Sequence, residues 1–243
     1  MQNMDNNMQA HENININTFM GRVYRYMAFG LILTGLVTYI LVGPLYNLWI
    51  RFMVQHSFIW MAILIVPFFI TFAISNNALK NPGRSLAWFA CISIIFGFDL
   101  AGTIIFINPK YILIALVTTI FAFIGLSFYG MNTKRNLSRW GRFAIGMLWG
   151  CIIATIINIF LKSSMFSFFL SYIIVAVFLI LIAVDTQSLI QLYNRAINSD
   201  MPINDADTFI RGLSIIGALN LYLDFLNLFI YILEIITNYQ QNN

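Results

Sequence analysis

The sequence predicts an all-α membrane protein, a bundle of seven transmembrane helices, and three observations carry that prediction. Of its 243 residues 60% are hydrophobic and only 9% are charged, with a mean hydropathy of +0.82; soluble domains carry roughly 25% charged residues. The apolar residues gather into seven runs, each near the roughly 20 residues that cross a hydrocarbon core of about 30 Å. The 13 Lys and Arg, against nine acids, fall between the runs instead of forming a basic surface. They read as topology signals, which makes membrane lipid the first partner and argues against nucleic acid.

The runs follow one another with short connections. Residues 1–20 are polar and Asn-rich, with no basic n-region and no small-residue cleavage site, so they are expected to be a disordered tail and not a removable signal peptide. The first run, Tyr24 to Val42, ends at Gly43 and Pro44. Ser57 to Ser75 follows, with Pro67 removing one helical hydrogen bond. Leu86 to Ile107, Tyr111 to Tyr129 and Phe143 to Leu161 are the third, fourth and fifth. Phe166 to Val184 is the sixth, expected to continue as helix toward Tyr193, and Ile210 to Ile236 is the seventh. No internal repeat is evident, so residues 21–238 form one domain with a short polar tail at 239–243.

Orientation follows from the cations. One face receives Arg22, Arg25, Lys80, Arg84, Lys134, Arg135, Arg139, Arg142, Arg195 and Arg211; the other receives Arg51, Lys110 and Lys162. Ten against three places the N-terminus in the cytoplasm and, after seven spans, the C-terminus outside. The cluster Lys134 to Arg142 reads as part of this anchoring and not as a lipid-specific site.

Acids inside the bilayer are then the functional candidates. Asp5, Glu12, Asp200, Asp205 and Asp207 belong to the tail and the sixth connection, which leaves Asp99, Asp185, Asp224 and Glu234. A carboxylate at a helix centre costs about 2.5–3.5 kcal/mol on insertion scales and usually faces a cavity, a partner or an ion path. Asp224 lies within the apolar run IIGALNLYLDFLNLFIY, and Asn220, Asp224, Asn227 and Tyr231 share one helical face. Asp185 lies where the sixth run turns polar, near the cytoplasmic boundary. If the seventh helix enters the bilayer near Gly217, the two carboxylates meet in the inner leaflet; if it enters nearer Ile210, they are offset by about two turns. Two carboxylates sharing a dehydrated site cannot both ionise cheaply, so a meeting pair is expected to hold one proton and to titrate as a unit. Deprotonated, and supplemented by Asn220, Asn227 and backbone carbonyls, Asp185 and Asp224 offer oxygen ligands suited to Ca²⁺, which takes six to eight. Zinc is not expected, because His11 and His56 lie outside the spans and Cys91 and Cys151 stand alone. The cysteines imply no disulfide framework.

Five stretches carry a resemblance: MGRVYRYMAFGLILTG, YGMNTKRNLSRWGRF, GMLWGCIIATIINIF, the VDTQ of the sixth run and LYLDFLNLFIYIL. With these the chain, from about Phe19 to Ile236, resembles the bacterial branch of the Bax-inhibitor family, also called transmembrane Bax inhibitor motif proteins. The resemblance implies a seven-helix bundle with the C-terminal helix central, in an inner membrane, that lets Ca²⁺ leak in a pH-sensitive way. The family's paired aspartates match Asp185 and Asp224. Ca²⁺ is then a permeant ion, and no tightly bound cofactor is expected. Two departures stand out. The arginine that relatives carry in the second helix as a latch is missing from Ser57 to Ser75, leaving Lys80 or Arg84 as substitutes from the inner end. Asp99 is an acid not expected in the third span.

Each candidate also has a plainer role. Asp185 can be a helix-end carboxylate in headgroup water, and Asp224 a member of a structural hydrogen-bond network with Asn220 and Tyr222 or with a neighbouring helix. Asp99 and Glu234 are placed on a possible outer ion path; Asp99 serves equally well as an interhelical hydrogen-bonding group, and for Glu234 a solvated place at the outer interface is favoured. Asn158 is expected to pack. Two further function classes compete with the leak pathway. A non-conducting regulator would bind and restrain a membrane protease or stress pathway. An intramembrane aspartyl protease also needs two aspartates on neighbouring helices, but Asp224 is preceded by LYL and lacks the glycine flank and the Pro-Ala-Leu motif. No enzymatic activity is expected.

Overall fold

The computed structural model describes residues 15–56, 66–67, 69–75, 77–198 and 203–241. Continuous helices among them are α1 (Ile16–Val42), α2 (Tyr46–Gln55), α3 (Pro82–Ile104), α4 (Pro109–Asn132), α5 (Ser138–Leu161), α6 (Ser164–Ile197) and α7 (Ile203–Gln241). The described residues from 66 to 75, Pro67 included, are helical as well; the rest of the expected second span, 57–65 and 68, lies outside the described residues. Six helices among those described are long and apolar enough to cross a membrane: α1, α3, α4, α5, α6 and Asp207–Gln240 of α7. The chain is therefore an all-helical, multi-span membrane protein.

Several boundaries differ from those expected. The stretch read as tail enters α1 at Ile16, because Asn15 caps the helix by accepting from the Asn17 N–H at 3.2 Å, and because Phe19 and Met20 are buried. Apolar content marks only the part of a helix in lipid; caps and packing set its length. Helix α6 continues past Tyr193 to Ile197, in line with its expected continuation, while α7 begins at Ile203, ahead of the expected Ile210. Helix α2 was expected as a connection. It forms because Trp49 is buried against Leu41 and Ala101, with Phe52, Met53 and Phe98 packed around them. Ten residues are too few to span a membrane.

The helices are inside-out relative to a soluble core. On α4 the buried positions are Ala115, Thr119, Phe123, Ser127 and Gly130, spaced by three or four, while Leu113, Val117, Phe121, Ile124 and Phe128 are exposed. Apart from Phe123, the buried positions of α4 are small or hydroxylated, while its bulky apolar residues face outward, as lipid allows.

Two compact units make up the chain: Met1–Phe106 with Leu192–Tyr222, and Ile107–Gln191 with Leu223–Asn243. In the first unit α1 and α3 are drawn together by missing side chains. A Cβ on Gly97 would stand 2.7 Å from Val37 Cβ, and one on Gly30 would stand 2.7 Å from the Phe89 ring. That approach lets Thr34 Oγ1 donate to the Ser93 carbonyl at 2.9 Å and Thr38 Oγ1 to the Gly97 carbonyl at 3.0 Å. Phe19 stacks on Tyr193 at 4.8 Å. At the end rich in cations, Asp207 lies 3.9 Å from Arg22 and 3.8 Å from Arg211.

In the second unit α4 starts at Pro109 with Asn108 as its cap, accepting from the Lys110 N–H at 3.0 Å. Helix α5 ends on Lys162, at φ 50°. Asn158 closes the turn to α6, donating to Ser167 Oγ at 2.8 Å and accepting from the Ser163 N–H at 3.3 Å. Its expected packing role is thus a turn-closing one.

Candidate ion site

Asp185 and Asp224 both belong to the second unit, on α6 and α7. Their carboxylates are close enough to interact electrostatically. Asp224 is 5% exposed, among buried Phe225, Leu226 and Leu228, and its Oδ2 accepts no hydrogen bond among the described residues. Asp185 is half-buried. Phe123 meets Phe225 edge-on at 5.7 Å, packing α4 against the turn of α7 that carries Asp224.

The turn of α6 carrying Asp185 is held from one side by the hairpin of α4 and α5. Leu137 packs against Ala183 and Val184, with Leu126 and Ile180 joining the cluster. Gly130 lies directly against the Ala183 carbonyl and near Thr186, and a Cβ on Gly141 would stand 2.7 Å from Val184 Cγ1. The hydroxyls of Ser127 and Thr186 are 3.1 Å apart, and Thr186 also donates to the Ile182 carbonyl at 2.7 Å. Gln187 is 8% exposed. Its Oε1 accepts from the Leu137 N–H at 2.8 Å, while Nε2 donates to the carbonyls of Arg135 at 2.8 Å and Thr133 at 3.4 Å. A loop that would otherwise leave backbone groups unpaired near the membrane boundary is satisfied by one buried amide.

The supporting residues are placed as follows. Asn227 is half-buried and its Nδ2 donates to the Leu223 carbonyl of its own helix at 2.8 Å, which leaves its Oδ1 as an acceptor. Asn220 is half-buried, in the first unit. Tyr222, a partner of Asp224 in the plainer reading of that acid, is fully buried in the first unit. Its hydroxyl lies 2.7 Å from Thr34 Oγ1, and its ring meets Phe89 and Phe96 edge-on. Since Thr34 donates to the Ser93 carbonyl, Tyr222 is the donor to Thr34. Asp99 belongs to that unit too, half-buried on α3 and near enough to Tyr222 to interact electrostatically. Glu234 is half-buried on α7 beside the Ser171 hydroxyl of α6, a less solvated place than the one favoured from sequence. Lys80 and Arg84 are exposed, in the first unit.

Among the described residues no group of three or more His, Cys, Asp or Glu converges. Gln187 and Tyr222 are the polar residues whose contacts the sequence did not reveal. Gln187 lies among Asp185, Thr186 and Ser188, and Tyr222 between Asn220 and Asp224, so neither stands out in the sequence; the buried partner of each is visible only in the fold.

Comparison with known proteins matches residues 16–242 to the family model described as inhibitor of apoptosis-promoting Bax1. The chain is 32% identical over 221 residues to the protein YrjE of Lactococcus lactis, covering 90% of each chain. It is 34% identical over 241 aligned positions to the protein RP147 of Rickettsia prowazekii, covering 92% of this chain and 90% of the relative. It is 33% identical over 225 residues to the inner membrane protein YbhL of Escherichia coli, covering 92% of each.

Proposed function

We propose that this chain, which belongs to the Bax inhibitor family, is a pH-sensitive Ca²⁺ leak pathway of a bacterial inner membrane, gated by Asp185 and Asp224. One observation carries the reading: Asp224 is buried in a membrane helix, its Oδ2 accepts no hydrogen bond among the described residues, and an acid is its electrostatic neighbour. A structural carboxylate in lipid would recover its insertion cost through donors. A buried carboxylate oxygen left without a donor, beside a second acid, suits a site that exchanges a proton for a cation. At low pH the shared proton holds the pair together; as pH rises the proton leaves, the carboxylates repel, and their oxygens become available to Ca²⁺. Burial along α7 on both sides of Asp224 supports the central place that the family implies for this helix. The cation count puts the N-terminus inside and the C-terminus outside.

The test is purified protein in liposomes loaded with a Ca²⁺ indicator. Flux is expected to change between about pH 6 and 8, over the range that a coupled carboxylate pair can reach, and Asp224→Asn is expected to abolish the pH response. Ca²⁺ occupancy should rise with pH, because protons compete for the same oxygens. No flux above empty liposomes at any pH would sink this reading and favour a non-conducting regulator that acts by binding a membrane protease.

A further inference from the structure

The VDTQ segment contributes an acid to the ion site, and its glutamine is engaged elsewhere. At 100° per residue, Ile180, Ala183, Val184 and Gln187 form one stripe of α6, and Asp185 lies about 150° from the middle of that stripe. The stripe meets Leu126, Gly130, Leu137 and Gly141 of the α4–α5 hairpin, and Gln187 ties it to the loop with bonds to the backbone of Leu137, Arg135 and Thr133. Packing alone would tolerate a small rotation of α6, because apolar contacts are not directional. Three hydrogen bonds from one buried amide would not, since turning the helix leaves the loop amide and carbonyls unpaired.

We infer that Gln187 is a positioning residue, which by holding the 133–137 loop sets the rotation of α6 and so aims the Asp185 carboxylate at Asp224. The inference rests on the ion-site reading above and adds to it the part that fixes the geometry of the pair. Charged groups on the elements around this turn are Asp224 on α7 and the exposed Lys134, Arg135, Arg139 and Arg142 on the hairpin. Gln187 itself carries no charge, so its replacement by an uncharged side chain acts through geometry.

The experiment is an infrared titration of the protonated carboxyl band, assigned by its change in Asp185→Asn and Asp224→Asn, in wild type, Gln187→Leu and Gln187→Met. Hydrogen exchange at the Leu137 amide is followed in parallel. Gln187→Leu keeps the bulk and loses all three bonds; the Leu137 amide should exchange faster and the carboxyl titration should move by on the order of half a pH unit or more. Gln187→Met, uncharged and of similar length, also loses the three amide bonds, so it should reproduce both changes, and it supplies a second variant should Gln187→Leu fail to fold. A role confined to stability would lower the melting temperature and leave the titration where it was. An unmoved titration with a loosened Leu137 amide overturns the inference, as does undiminished protection of that amide. Absence of Ca²⁺ flux in wild type would remove the leak reading alone, because the infrared measurement requires no ion to pass.

Discussion

Asp224 and Tyr222 sit two residues apart on one helix and illustrate opposite ways of keeping a polar group in a membrane. Tyr222 is satisfied: its hydroxyl donates to Thr34, which passes its own proton to the Ser93 carbonyl. Tyr222→Phe keeps the ring against Phe89 and Phe96 and removes one neutral hydrogen bond, so it should destabilise by about 1 kcal/mol, read as a lower melting temperature in detergent. An unchanged melting temperature would mean that the hydroxyl contributes nothing net. Asp224 is not satisfied in this way, and its neighbour is Asp185. If the two share a proton, Asp185→Asn and Asp224→Asn together should alter pH-dependent flux no more than either alone. Additive effects would separate them into two independent sites.

At the scale of elements, contact between helices is governed by residues with little or no side chain. Gly97 brings α3 within reach of Thr34 and Val37 on α1, and Gly130 and Gly141 do the same for α4, α5 and the Asp185 turn of α6. These approaches replace a hydrophobic driving force that lipid does not provide between apolar helices. Gly97→Val would force its side chain into Val37 and stretch the hydroxyl-to-carbonyl bonds of Thr34 and Thr38; a loss of roughly 1–3 kcal/mol is expected from overpacking, with Gly35→Val, whose Cβ meets nothing within 4 Å, as the control. Equal melting temperatures for the two variants would refute the close-approach account.

Across the whole molecule, the distribution of ten cations against three predicts the orientation of every connection. Reporter fusions should be active in the cytoplasm when placed after Lys134 and outside when placed after Lys162; a fusion at Asn243 active only in the cytoplasm would show that the last helix does not complete a seventh crossing. Composition and run length were enough to identify an all-helical membrane protein and to place α3, α4 and α5 within a few residues, because lipid imposes one requirement on every span. The same requirement singled out Asp99, Asp185, Asp224 and Glu234, since an acid in an apolar run is conspicuous whatever surrounds it. Hydropathy could not register the Asn15 cap, the short helix built on Trp49, or the early start of α7 at Ile203. Those depend on local hydrogen bonds and on side chains distant in sequence. Nor could it register the electrostatic interaction of Asp185 with Asp224, the pairing of Tyr222 with Thr34, or the bonds of Gln187 to a loop fifty residues away; tertiary packing decides them. The sequence by itself determined which polar groups the membrane makes costly; only the folded chain decided which of them are satisfied, because a hydrogen bond between helices depends on distance and direction that no single helix encodes.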